Sequence, residues 1–189
     1  YTTGPASFFI LLVMTLLGLS YNLKIISLPS KKGQKAGIKD IPGSKTILIT
    51  IAWGMVTCLL PAMTYQSAWM SVIMVWLYVM GLVFARTAFF DILAIQGDRI
   101  SGKETLPILL GEKRSFKTIQ YVLLAAMGII VISFFAGILV KKSLVFVSIP
   151  LILLLLIRFF KNDSLISGVQ REFVIECLFL SSGLLAAVI

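Results

Sequence analysis

Asp91 and Asp98 stand seven residues apart, with Arg86 five residues upstream and Arg99 and Lys103 just downstream. If one helix continues to Gly97, seven residues make almost two whole turns. Both carboxylates then share a face, about 10 Å apart along the axis. That is too far for one ion to be shared directly. It suits two metal sites, or a diphosphate bridged by metals at both ends. The chain has no histidine, which excludes His-based nucleophile activation and His-ligated zinc. A metal here is therefore a hard cation on carboxylate oxygen, which points to Mg2+. Magnesium in turn holds phosphate oxygens, and Arg or Lys neutralises the remaining charge. Arg86 lies roughly 140° round the helix from Asp91. Acids at such a place are also ordinary solvated loop residues, and spacing alone does not separate the two readings.

The elements that must position these groups are membrane spans. Of 189 residues, 59% are hydrophobic and 13% charged, with a mean hydropathy of +1.02. A soluble domain of this length is about half apolar and a quarter charged, and such an excess would turn its surface into one apolar patch. About 20 apolar residues cross the hydrocarbon as a helix. The charge-free stretches predict six spans, at about 5–22, 46–62, 68–88, 118–140, 143–160 and 172–189. The short fifth span relies on Arg158 and Lys161 snorkelling to the interface. Backbone groups in lipid need internal partners, which favours helices. The alternating ten-residue strands of a barrel are absent from the sequence. The fold class is all-α, a polytopic transmembrane bundle.

The basic residues set sidedness. Loops at about 23–45, 89–117 and 158–171 fall on one side if the spans alternate. With Arg86 at a helix end, they hold all 17 Lys and Arg except Lys141 and Lys142. The positive-inside rule makes this face cytosolic, in a prokaryotic inner or plasma membrane, and puts Tyr1 on the far side. The charge of +9 is then topology bias plus contact with anionic headgroups of the bilayer. No recognition module accompanies it, so no nucleic-acid partner is expected. Asp91 and its neighbours leave the third span on the basic side. Ionisable groups at a membrane edge tend to be functional.

Cys58 and Cys177 both fall inside spans and read as small core residues rather than a disulfide framework. Residues 1–22 lack the basic start of a secretory signal, so a processed or truncated product is expected from the start at Tyr1. The polar loop from Pro29 to Gly37 reads as a solvated connector.

The run Asp91…Gly97-Asp98-Arg99…Gly102-Lys103-Glu104-Thr105-Leu106-Pro107…Gly111 resembles the second aspartate-rich motif of the UbiA superfamily of membrane prenyltransferases, with its Gly-x-x-Thr-Leu-Pro tail. The closest resemblance is to 4-hydroxybenzoate polyprenyltransferase-like members. The stretch Gly18-Leu-Ser-Tyr21-Asn-Leu-Lys24, followed by Ile38-Lys39-Asp-Ile-Pro42-Gly-Ser-Lys45, is similar to the family's Tyr-containing loop between its fourth and fifth helices. Two features depart from the pattern. The middle acid of the motif is replaced by Ala94, and the family's first Asp-rich motif is missing. The resemblance covers the whole chain as the last six of nine helices. It implies a single domain over 1–189 that is N-terminally incomplete.

What the resemblance implies is transfer of a polyprenyl group from a polyprenyl diphosphate to an acceptor. Asp91 and Asp98 become the catalytic Mg2+ ligands. Arg86, Arg99 and Lys103 become diphosphate or cap residues, and Tyr21 and Lys24 line the cavity mouth. Phe84, Phe89, Phe90, Trp76 and Tyr78 are candidates for a prenyl tunnel, although packing or an interfacial belt explains each aromatic as well. Gly97 and Gly102 read as turn devices, and Thr105 with Pro107 as a helix start. An aromatic, hydroxybenzoate-like acceptor in quinone synthesis leads. A glycerol-phosphate lipid, a chlorin or a haem are variants within the class.

Two other classes are distinguishable. A transporter or channel subunit needs ionisable groups or broken helices deep in the spans. Only Pro61 and Pro150 interrupt them, and Glu176 is the one acid near mid-span. Phosphatidyl-alcohol transfer also uses membrane carboxylates with magnesium, but its longer Asp-Gly signature is not in the sequence.

Overall fold

The chain was analysed as a computed structural model, which describes residues 5–23, 28–29, 35–36, 43–65, 67–102, 105–162 and 166–188. Helices stand at all six expected places. They are α1 (Pro5–Leu23), α2 (Ser44–Gly54) continued by α3 (Leu60–Tyr65), α4 (Trp69–Leu93), α7 (Glu112–Phe135), α8 (Ser148–Asn162) and α9 (Gly168–Val188). Two short helices, α5 (Ile95–Ile100) and α6 (Leu106–Leu110), fill the segment read from sequence as a loop at 89–117. Leu28–Pro29 and Lys35–Ala36 pair antiparallel as two-residue strands β1 and β2.

Four stretches are long and apolar enough to cross a membrane among the described residues: Ser44–Met63, Trp69–Leu93, Glu112–Phe135 and Lys141–Lys161. In α1 the apolar part is the shorter Ser7–Leu16. In α9, Arg171, Glu172 and Glu176 dilute an otherwise apolar helix. The fifth span begins with a 3-10 segment, Lys141–Val147, before α8. That segment gives the stretch the length that residues 143–157 lack.

The core is built on a seam between α4 and α7. Buried residues recur at alternating intervals of four and three: Tyr78, Leu82, Ala85, Phe89 and Ile92 on α4, with Phe116, Ile119, Leu123, Ala126 and Ile130 on α7. That is the spacing of left-handed knobs-into-holes packing. In lipid the apolar effect does not drive helices together, so close packing through small residues must. A Cβ on Gly81 would stand only 3.2 Å from the Ala126 Cβ, and Ala85 is fully buried. Ile149, Leu153, Ile157 and Phe160 of α8 close the cluster, and α9 contributes Ile175. At the end of α4 away from Asp91, its hydroxyls tie down the chain after α7. Tyr78 donates to the Phe146 carbonyl at 2.8 Å, and Ser71 to that of Ile138 at 3.0 Å. Large exposed apolar side chains such as Phe8, Trp53, Ile132 and Phe173 cover the outside, as a lipid-facing surface requires.

The second side of α4 meets α2. Here the chain comes closest at Gly54, where a Cβ would lie 2.6 Å from Trp76 Nε1. Directly after it, Met55–Leu59 forms a single π-helical turn, ahead of Pro61. Proline has no N–H to donate and its ring crowds the preceding turn, so a widened turn here has a local cause.

Candidate functional site

Asp91 lies in the last turn of α4, 3% exposed. It faces the start of α2. Thr46 Oγ1 donates to Asp91 Oδ2 at 2.6 Å, and Lys45 Nζ stands 3.8 Å from Oδ1. Thr46 is fully buried, and its neighbour one turn on, Thr50, donates to the Thr46 carbonyl at 2.7 Å. A buried carboxylate is costly unless it is hydrogen-bonded and charge-compensated. These two groups from another helix supply both conditions.

The seat depends on how α2 begins. Gly43 holds φ at 73°, a left-handed conformation that glycine adopts without strain, and Ile47 N–H donates back to its carbonyl at 3.2 Å. A Cβ there would come 3.4 Å from Leu106 Cγ. The cap helix α6 thus folds over the turn that aims Lys45 and Thr46 at Asp91.

Asp98 reaches the site differently from the sequence expectation. The helix does not run on to Gly97. It breaks at Ala94 (φ −87°, ψ 1°) and restarts as α5. The Asp98 N–H then donates to the Ala94 carbonyl at 3.0 Å. Asp98 is 7% exposed, in the first turn of α5, where the helix dipole favours an acid. The two carboxylates therefore belong to two helices joined by a bend, not to one face of a straight helix. Gly102, with φ 65°, closes the turn after α5, and Thr105 with Pro107 starts α6 as expected. Thr105 Oγ1 is buried and has no hydrogen-bond partner among the described residues.

The remaining expected site residues divide. Arg99 is exposed beside Asp98. Arg86 projects to another side of α4, where it is ion-paired with Glu176 of α9 and lies over the rings of Phe90 and Phe179, at 4.9 and 5.9 Å. The structure thus places Arg86 with α9 and Asp91 with α2. Lys24 and Lys103 lie outside the described residues, as does the side chain of Tyr21 on α1. Of the aromatics proposed for a tunnel, Phe89 and Tyr78 are buried in the α4–α7–α8 core, Phe84 and Phe90 pack against its edge, and Trp76 covers Gly54. A cleft of ≈ 260 Å³ lies among Phe89, Gln96, Glu112, Phe116, Lys161 and Arg171, and neither Asp91 nor Asp98 lines it.

Sequence reasoning missed Thr46 as a partner of Asp91, and treated Lys45 only as one of the loop's basic residues. The available signal was a Lys-Thr pair opening a span, with a second threonine four residues on. The donor set suits a hard divalent cation that takes one or two carboxylates and completes its shell from substrate phosphates. Among the described residues no group of three or more acid, Cys or His ligands comes together, so an all-protein cage is not what these residues form.

A bundle of membrane-length helices, with buried carboxylates under a short helical cap at one end, defines an intramembrane protein with its polar chemistry at the membrane surface. The UbiA prenyltransferase family model matches residues 1–182, and the chain belongs to that family. Its activity class is prenyl transfer within a membrane, from a prenyl diphosphate to an acceptor, for which the family generally uses a divalent metal. Searches of curated proteins and of solved structures gave no match.

Proposed function

We propose that the chain transfers a polyprenyl group from a polyprenyl diphosphate to an aromatic acceptor of the hydroxybenzoate or quinone-precursor type, with Asp91 and Asp98 as the ligands of Mg2+. The observation that carries this reading is the buried Asp91 carboxylate, held by Thr46 and Lys45 from a second helix. Such a seat fixes one oxygen and leaves the carboxylate ready for a cation. The bound cation would neutralise the diphosphate as it leaves. The chain's own contribution is placement. Thr46 orients Asp91, the bend at Ala94 brings Asp98 into the first turn of α5, and α5 with α6 covers the site. Arg99, exposed beside Asp98, supplies positive charge for the phosphate oxygens, and Lys103, Tyr21 and Lys24 remain proposed for the cap and cavity mouth. An electron-rich acceptor carbon attacks the allylic carbon, the diphosphate departs, and the acceptor loses a proton.

We place this face in the cytosol, since it carries nearly all the basic residues, and read residues 1–189 as part of one transmembrane domain. Glu176, the acid that a transport reading would need, is paired with Arg86.

The test is Asp91→Asn and Asp98→Asn in the full-length protein, assayed with radiolabelled polyprenyl diphosphate and Mg2+ against hydroxybenzoate and alternative acceptors. Loss of transfer is expected, and undiminished transfer removes the site assignment. For sidedness, single cysteines at positions 35 and 103 should react with an impermeant thiol reagent only from the cytosolic side, and one at 141 only from the other.

A further inference from the structure

The two ends of the Lys45–Asp91 ion pair are unlike. The Lys45 side chain is 56% exposed and that of Asp91 5%. Lys45 is the second residue of α2, in a first turn that holds no acid. The positive end of a helix dipole disfavours a cation there, so the ammonium is held by Asp91, not by its own helix. Thr46 occupies Oδ2 and Lys45 faces Oδ1. A magnesium-sized ion on Oδ1 would sit about 2.1 Å from it. An ammonium 3.8 Å from the same oxygen would then be a like charge at close range. The two cations compete for one oxygen. Lys45 has the means to yield, having a flexible four-carbon stem and a largely exposed head.

We propose that Lys45 is a resident counter-ion of Asp91, which neutralises the carboxylate in the unloaded site and moves onto the diphosphate when diphosphate and divalent cation arrive together. This rests on Asp91 as a cation ligand, as proposed above. A bare cation must push the ammonium into water. A cation that brings a diphosphate offers the ammonium a new anionic partner. Diphosphate and cation therefore strengthen each other's binding, and the coupling is reciprocal.

The experiment reads binding, not turnover. Full-length protein in lipid nanodiscs is titrated with Mn2+, followed by electron paramagnetic resonance, with and without an inert prenyl thiodiphosphate. Wild type is compared with Lys45→Met, Lys45→Gln, Lys45→Arg and Asp91→Asn, each checked for folding by its melting curve. The two neutral variants should bind Mn2+ alone about 2- to 5-fold more tightly, the range that an exposed ion pair allows. The enhancement by thiodiphosphate should shrink in both, and Lys45→Arg should behave as wild type. Unchanged or weaker Mn2+ binding in whichever neutral variants fold, with binding lost in Asp91→Asn, overturns the counter-ion role and leaves the ligand assignment standing. Mn2+ binding that survives Asp91→Asn overturns the ligand assignment itself.

Discussion

Helix α4 carries two ion pairs, five residues apart, that face different neighbours. Asp91 meets Lys45 of α2, and Arg86 meets Glu176 of α9. In the first pair the acid is buried and the cation lies mostly in the open. In the second the cation is the more enclosed member, 26% exposed against 42% for Glu176, and lies over the rings of Phe90 and Phe179. Aromatic faces add attraction for a guanidinium beyond its ionic partner, and no exchangeable ligand is needed to explain the arrangement. The difference separates a charge that ties helices together from a charge that is free to trade partners. It also assigns roles that residue type alone leaves open, since an acid with an Arg or Lys nearby describes both.

The largest expected effect breaks the first pair. Asp91→Asn should lower transfer by about 100-fold or more, the scale seen when a group stabilising developing charge is removed, while the melting temperature stays near wild type. Next is Thr46→Val. It leaves the buried Oδ2 without its donor, a loss on the order of 1–3 kcal/mol. It should raise the apparent Kd for Mn2+ and reduce transfer about 10-fold or more, and Thr46→Ser should restore both. If Val and Ser behave alike, the hydroxyl is not what seats Asp91.

The second pair should answer in stability rather than chemistry. Glu176→Gln leaves Arg86 without its carboxylate. Because both side chains are partly exposed, the cost should be about 1 kcal/mol, well below that of a fully buried pair. It would appear as a fall of a few degrees in melting temperature, with transfer per folded molecule retained. The double change Arg86→Met with Glu176→Leu should recover most of that loss, as apolar replacement of an enclosed pair often does. Loss of transfer in folded Glu176→Gln would erase the contrast and return Arg86 to the substrate.

What the sequence discloses follows from what each signal depends on. Helices at the six span positions are legible because hydrocarbon imposes a local, one-dimensional requirement of about 20 apolar residues. Asp91 and Asp98 are legible because charge at the end of such a run stands out. The bend at Ala94 is not legible, since alanine is the best helix former and nothing local to it ends α4. The break belongs to the tertiary packing of α5 and α6 over the start of α2. Thr46 is hidden for a similar reason. It is 45 residues from Asp91, and a threonine at the start of an apolar helix ordinarily bonds its own backbone, as Thr50 does. The role of Arg86 needed the position of Glu176, 90 residues on, which no spacing within the motif encodes.

The widened turn at Met55–Leu59 has a consequence for helical phase. Thr46, Thr50, Gly54, Cys58 and Ala62 are all buried, and they recur at every fourth residue. On a regular α-helix that interval drifts by about 40° a step, so by Ala62 the stripe would have wound about 160° away from Thr46. A π turn absorbs one extra residue, which takes back about 100° of that drift. One straight side of small side chains then faces inward along the whole span, from the threonine that seats Asp91 to the far end of the helix. A length anomaly of one residue in mid-membrane is in this way a phase correction for the site at the surface.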